Sequence, residues 1–444
     1  MQRLTVEDML MLWPDEAWPQ EVGAVGVLDG SLIDADGALR IDAVRRSVEA
    51  RLHLAPRLRQ VLRTPGRGLG RPLWVDDPAF DVAHHVRAVP LPQPAGEAEL
   101  VQAVERLRRR RLDRSRPLWE MWLLPGLPGG RVGFYMRLHH AIADGIAAIA
   151  TLGVFLDMTP QHRTAPASPW DPQPPPGAGA LLADNLRAYA VAGIRSLARL
   201  VRPVRTVRGL RAGWRSMRAG FDAVPTPSTS LNRTVGQERA VAVVRGELAS
   251  VRRIAHVHGA TVNDVLLAFT AAGLRTLLRG RGETVERLPV YVPATLRPAD
   301  QWSSARGNHI AQMMVALPLG TTDPVRRLRQ IAMESARQKA KPHPPLGAVL
   351  RSRTARRILL SVLDRHPVSV TTADLIGPDE PRYLAGARLL DVFPLAPLIG
   401  NVTVAVAALS YAGRFTVAVV ADPVACPDVN VLAAAVQQEW TALA

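Results

Sequence analysis

An α/β (α+β) chain of two domains joined by a crossover linker is the fold class the sequence predicts, on three observations. At 444 residues the chain is long enough for two cores of ordinary size. Strand-like and helix-like periodicities alternate through both halves. Between the halves a tract from Pro166 to Ala180, including Pro174-Pro175-Pro176, breaks all periodicity. The expected units are residues 1–165, a linker with a basic helix over 166–225, and residues 226–444.

In the first half, Val22 to Leu28 reads as a strand and Ile41 to Leu54 as a helix. Trp74 to Asp77 and the stretch Phe80 to Pro92 follow, then a basic helix from about Glu97 to Leu112. Arg116-Pro117-Leu118-Trp119-Glu120 leads into a strand, Met121 to Leu124, and the Pro125 to Gly130 turn returns the chain into RVGFYMRLHH (Arg131 to His140). There Val132, Phe134, Met136 and Leu138 share one face. Period 2 places His140 on that apolar face and His139 on the opposite one with Tyr135 and Arg137. Ile146 to Leu156 then reads as a helix, with Asp144 where an N-cap carboxylate would sit.

The Pro-rich tract predicts an extended linker. After it Arg195, Arg199, Arg202, Arg205, Arg208, Arg211, Arg215 and Arg218 recur every three or four residues, interleaved with Ile194, Leu197, Val201, Val204, Val207, Leu210, Trp214 and Met217. That spacing gives a helix one apolar and one arginine face, with Pro203 as a kink. The face suits either an anionic membrane surface or packing between domains with solvated arginines. The second half restarts near Thr226, with strands at Arg239–Arg245, Leu288–Val292, Ile310–Leu317, Val402–Ser410 and Arg414–Val420. Its helices are Leu248–His258, Thr261–Arg279 and Pro324–Lys339.

Composition narrows the classes. Hydrophobic residues make up 48%, so the chain can fill its cores. The formal net charge is +16, nearly all of it arginine, which suits nucleic acid, anionic lipid or a polyanionic cofactor. The lone Cys426 rules out an internal disulfide and a cysteine-based zinc site, and fits a reducing cytosol. The first residues lack the apolar stretch of a signal peptide, and no run of about 18 apolar residues would span a membrane. The expected location is cytoplasmic, or peripheral to the inner face of the membrane or to lipid inclusions. No HExxH, CxxC or EF-hand pattern implies a metal, no GxxxxGK[ST] loop is present, and Gly66 to Gly70 reads as a turn. The arginine helix carries one aromatic, Trp214, and no nucleic-acid fold motif accompanies it.

The chemistry concentrates at His139-His140-Ala141-Ile142-Ala143-Asp144-Gly145. An imidazole titrates near neutrality, so His140 is the candidate general base. His139 is expected to shape the loop, and Asp144 to cap the turn and pair with Arg59 or Arg116. A second pair, His84-His85, lacks the Asp-Gly and reads as loop or strand residues. Cys426 lies in a Pro/Asp loop and is a poor nucleophile candidate.

This HHxxxDG motif resembles that of the coenzyme A-dependent acyltransferase superfamily. Pro117-Leu118-Trp119 and Asn263-Asp264 are similar to the PLW and ND motifs of the bacterial wax ester synthase/diacylglycerol acyltransferase family. Pro56 to Arg59, Gly307-Asn308, Pro381 to Ala387, Leu409 to Gly413 and Asp422-Pro423 extend the resemblance along most of the chain. One departure is Ala373-Asp374-Leu375-Ile376-Gly377-Pro378, where the family reads Ser/Thr-Asn-Val-Pro-Gly-Pro; this segment is expected to be a loop near the channel.

The resemblance implies two chloramphenicol-acetyltransferase-like domains with a channel between them. It also implies transfer of a long-chain acyl group from acyl-coenzyme A, as co-substrate, to a fatty alcohol or diacylglycerol. His140 would be the base and Asn263 an oxyanion donor, with no permanently bound cofactor. Trp119 would be a core aromatic setting the angle of the histidine strand, and Asn263-Asp264 a helix cap. Two other readings stand beside this one. One is a tailoring acyltransferase that acylates a polyketide or sugar hydroxyl, with a carrier-protein thioester as donor; the other is a non-catalytic lipid-binding protein.

Overall fold

The computed structural model describes residues 2–161, 169–200, 226–295, 310–341 and 368–444. The chain opens with β1 (Gln2–Arg3), α1 (Val6–Leu12), β2 (Glu21–Leu28), α2 (Ile41–Arg51), β3 (Gln60–Arg63), β4 (Leu73–Asp76), α3 (Val82–His85) and β5 (Val86–Ala88). It continues through α4 (Glu97–Arg108), β6 (Trp119–Pro125), β7 (Val132–His139), α5 (Gly145–Phe155) and α6 (Ala178–Leu200). The second half contains β8 (Ala240–Glu247), α7 (Leu248–Val257), α8 (Val262–Gly280), β9 (Leu288–Thr295), β10 (Ile310–Leu317) and α9 (Pro324–Lys339). It ends with β11 (Val370–Ile376), β12 (Tyr383–Leu384), β13 (Ala387–Leu395), β14 (Val404–Tyr411), β15 (Arg414–Ala421) and α10 (Val429–Leu443).

Two six-stranded sheets dominate, ordered β12-β13-β2-β7-β6-β5 and β10-β9-β11-β14-β15-β8, beside a small sheet β1-β4-β3. Each large sheet packs helices on one face. In the first, Val44 and Val48 of α2 and Ala147 and Phe155 of α5 bury against Leu28, Phe134, Met136 and Leu138. In the second, α7 to α10 cover Val290, Val404, Val406 and Val417. The remaining faces meet: Val25, Tyr135 and Phe393 share one cluster with Ala405, Ala418 and Val420. All eight residues of β7 are therefore buried, and each large apolar side chain among them contributes about 1.5–3 kcal/mol.

The expected two-part α/β architecture is present, with a topological difference. Strands β12 and β13 lie in the C-terminal half of the sequence yet complete the first sheet, β13 pairing with β2 from Leu389↔Leu28 to Leu395↔Gly23. The segment expected to belong wholly to the second unit thus contributes two strands to the first. The Ala373–Pro378 segment is also not wholly a loop: Ala373 to Ile376 continue β11, parallel to β14. His84 and His85 close the short helix α3 rather than a loop or strand.

Other boundaries shift locally. The α2 helix gives way at Arg51 to a 3-10 turn over Leu52–Leu54, and α4 ends at Arg108 rather than Leu112. The extended linker is tethered to the first half: Trp170 Nε1 donates to Asp77 O (2.9 Å), and the Arg59 guanidinium lies 4.0 Å above the Trp170 ring. The α6 helix reaches into the arginine-rich stretch, but residues 201–225, most of the expected amphipathic helix, lie outside the described residues. Among the described residues no single helix is long and apolar enough to cross a membrane.

Candidate active site

The site forms where β7 stops and α5 begins. His139 is the last residue of β7; its backbone N–H donates to Leu118 O (2.9 Å), and the next N–H, from His140, donates to Gln20 O (2.7 Å). The sequence placed His140 on the apolar strand face as the inward imidazole. Instead His139 is the buried one, 3% exposed and on the Tyr135/Arg137 face as expected, while His140 is half-buried in the turn beyond the strand. The His140 N–H still bonds in register with the strand pairing, but β7 ends at His139 and His140 already belongs to the turn, so period 2 no longer sets its direction.

Asp144 behaves as an N-cap. It is fully buried, and its Oδ1 accepts from Ala147 N (2.9 Å), satisfying one of the open donors of α5. The expected arginine partners are engaged elsewhere: Arg116 faces Asp113 at 3.5 Å, and Arg59 stacks on Trp170. Gly145 follows because space is short. A Cβ there would sit 2.9 Å from Leu375 Cδ2 of β11, so the motif glycine is where the second sheet touches the histidine turn. The α5 helix itself is apolar on every side, and Ile146, Ala148, Ile149 and Leu152 remain only partly buried.

Sequence reasoning missed the group that holds His139. Its Nδ1 accepts from Ala141 N (3.0 Å), so in the neutral ring Nε2 carries the proton, and Nε2 faces Asp15 Oδ1 at 3.1 Å. Asp15 also accepts from Gln20 N (2.8 Å) and Arg114 Nη2 (2.5 Å). Burial alone would raise this carboxyl; the contacts with His139, Gln20 N and Arg114 outweigh it and hold the group well below the usual carboxylate range. One loop, residues 15–20, therefore orients the first imidazole and binds the backbone of the second. It lies more than a hundred residues upstream of the motif, and no local periodicity reveals it.

Arg137, 2% exposed, locks the strand from beneath. It donates to Glu21 Oε2 (2.7 Å) and Glu120 Oε2 (2.7 Å), and Arg87 pairs with the other oxygen of Glu120 (2.7 Å). Burial still lifts the Glu21 carboxyl above its ordinary range, against the pull of Arg137.

The supporting motifs have visible work. Leu118 supplies the carbonyl that takes the His139 N–H, and Pro117 O accepts from Trp119 N (2.9 Å). Trp119 is fully buried, pairs with Leu138 across the strands and donates from Nε1 to Leu58 O (2.8 Å). Its ring stacks between Phe155 and His85, and His85 Nδ1 lies 2.8 Å from Trp119 O; this second histidine pair member is a core residue. In the second half Asp264 forms a capping box with Thr261 at the start of α8, and Asn263 is half-buried beside it. Burial pushes the Cys426 thiol up to about 12, which suits a structural role. Burial also raises the Asp374 carboxyl to about 6; by register it shares the Val370/Thr372 face of β11, while Leu375 faces the histidine turn. Among the described residues no group of three or more His, Cys, Asp or Glu side chains is arranged to hold a metal ion.

Comparison with known proteins gives one answer along the whole chain. Residues 4–266 match the wax ester synthase/diacylglycerol acyltransferase catalytic domain, and residues 306–444 match the WS/DGAT C-terminal domain. A Mycobacterium tuberculosis protein named as a diacylglycerol O-acyltransferase, Rv3087, is 34% identical over 96% of this chain and 93% of its own. A second from that organism, named tgs1, is 30% identical over 94% and 89%. The fold is similar to that of the wax ester synthase/diacylglycerol acyltransferase from Marinobacter aquaeolei VT8 (TM-score 0.69, 23% identity, 99% and 98% covered). It is also similar to the first condensation domain of the calcium-dependent antibiotic synthetase (TM-score 0.63, 18% identity, 100% and 96% covered).

Proposed function

The chain belongs to the wax ester synthase/diacylglycerol acyltransferase family and is an acyl-coenzyme A-dependent O-acyltransferase; on that premise we propose that it esterifies a fatty alcohol or diacylglycerol with a long-chain acyl group, using His140 as general base. The observation that carries the assignment is the contrast within the pair. His139 is buried, with Nδ1 accepting from Ala141 N and Nε2 facing the Asp15 carboxylate, whereas His140 is half-buried in the turn that opens the apolar helix α5.

In this reading His140 removes the hydroxyl proton as the acceptor oxygen attacks the thioester carbonyl. The new C–O bond leaves a tetrahedral oxyanion, for which Asn263 is the proposed donor. Collapse breaks the C–S bond, and His140 returns the proton to the leaving thiolate. The thioester is already activated, so no acyl-enzyme is needed. His139, Asp15 and Asp144 position the base. The partly buried Ile146, Ile149 and Leu152 of α5 suit an acyl chain, which gains about 0.8 kcal/mol per buried methylene. The arginine-rich stretch 194–218 would hold the enzyme on an anionic membrane or lipid-inclusion surface.

A second reading keeps the reaction and changes the acceptor. The Ala373–Pro378 segment departs from the family's pattern and packs Leu375 against Gly145, and that departure would favour a different hydroxyl, as on a sugar or polyketide. Product analysis separates the two. Palmitoyl-coenzyme A is supplied with hexadecanol, dipalmitoylglycerol or a monosaccharide, and esters are resolved by mass spectrometry. Wax ester or triacylglycerol is the expected product; sugar ester alone would move the assignment to the second reading.

A further inference from the structure

At the end of β7 remote from the histidines, the two large sheets part around a cavity of about 610 Å³. Seven residues of strand, at about 3.3 Å each, put it roughly 23 Å from His139. Between the two lies the packed cluster of Val25, Tyr135, Phe393, Ala405 and Val420.

Its polar lining is Arg131, Arg245, Arg388 and Arg414 with Glu97 and Asp391. One arginine consumes both acids: Arg245 lies 2.7 Å from Asp391 Oδ2 and 2.7 Å from Glu97 Oε2. Among the described residues the other three have no carboxylate partner. Arg131 spends only its Nε, on Pro128 O (2.8 Å), and all three side chains are exposed at the mouth. The backbone carrying them is fixed. Arg388 N donates to Asp29 Oδ2 (3.1 Å), and Arg414 follows a hairpin whose Ala412 and Gly413 both have positive φ (47° and 78°), the geometry of a tight two-residue turn. Val27 and Leu389 form an apolar floor.

We propose that this cavity binds a phosphate ligand carrying two or three negative charges, a phosphate ester or a diphosphate. Guanidinium groups offer paired N–H donors that match phosphate oxygens, and three without a carboxylate partner line one cavity of ligand size, an arrangement that favours a multiply charged anion. The Arg245 pairs wall the site without neutralising it. The ligand comes from one of two sources, a soluble phosphate compound or a phospholipid headgroup.

The test uses the full-length protein and inorganic pyrophosphate, titrated calorimetrically at low ionic strength. The Arg388→Gln/Arg414→Gln variant is compared with Arg326→Gln/Arg329→Gln, which removes equal charge from the exposed side of α9. The proposal expects saturable one-to-one binding, weakened at least tenfold by the first pair and unchanged by the second. No binding, or equal weakening by both pairs, overturns it. Should the first pair lose its thermal transition, Arg414→Gln alone takes its place. Flotation with phosphatidic acid–phosphatidylcholine vesicles then distinguishes the sources. Vesicle binding lost together with pyrophosphate binding identifies a headgroup; vesicle binding retained identifies a soluble ligand.

Discussion

Asp15, beside His139, and Asp374, on the strand that covers the histidine turn, are two buried carboxyls that shift in opposite directions. Asp15 acts through His139, so Asp15→Asn should lower kcat about ten- to a hundredfold while KM changes less than about threefold, as expected when base positioning fails and binding survives. Equal loss in both constants would assign Asp15 to substrate binding instead. Its stabilising contribution is present above its unfolded value near pH 4 and disappears as the pH falls. Asp374 runs the other way. Held near 6 by burial, it keeps its proton in the folded chain between about pH 4 and 6, where the unfolded chain has lost it, so stability declines as pH rises through that window. Asp374→Asn should therefore raise stability at pH 7 by about 1–3 kcal/mol and abolish that decline, as read from denaturant midpoints at pH 4, 5, 6 and 7. Of these residues, the histidines, Asp144 and Trp119 were legible because motif and period mark them. Asp15 was not, since its partner stands 124 positions away and no pattern links them.

At the level of elements, the strand–turn–helix unit of β7 and α5 depends on β11 closing over it. Gly145→Ala places a methyl group 2.9 Å from Leu375 Cδ2, the movable end of a half-buried side chain, so the helix preference for alanine should be offset and the net loss stay below about 1 kcal/mol. Leu375→Ala opens that space, so a thermal-denaturation double-mutant cycle should give a coupling of about 0.5 kcal/mol or more. Additive losses would show that the contact is not what selects glycine. Most elements were readable from periodicity; β10 and α9 coincide with their expected ends. The errors share one cause, backbone partners from distant sequence. The Gln20 N–H turns to Asp15 instead of continuing the ladder beside His140, and the seven-residue pairing with β14 makes β11 a strand despite its Gly-Pro end.

For the whole molecule, the main consequence is that neither half of the sequence contains a complete first sheet. Strand β13 pairs along β2 and leaves it an open apolar edge when removed. A fragment of residues 1–225 expressed alone should aggregate, while coexpression with 226–444 should recover soluble, associated protein; a soluble, cooperatively melting 1–225 fragment would contradict this. The alternation of strands and helices announced the α/β class and the Pro-rich tract announced two parts. The crossover was invisible, because Ala387 to Leu395 looks alike whichever sheet receives it. The placement of the two imidazoles at the seam of that architecture is the central claim. The most direct test is thiol release from palmitoyl-coenzyme A with hexadecanol, comparing wild type with His140→Ala and confirming both folded by thermal melting. A loss of at least about a hundredfold is expected, the low end of what a general base supplies. Unchanged release in the His140→Ala protein would contradict the account.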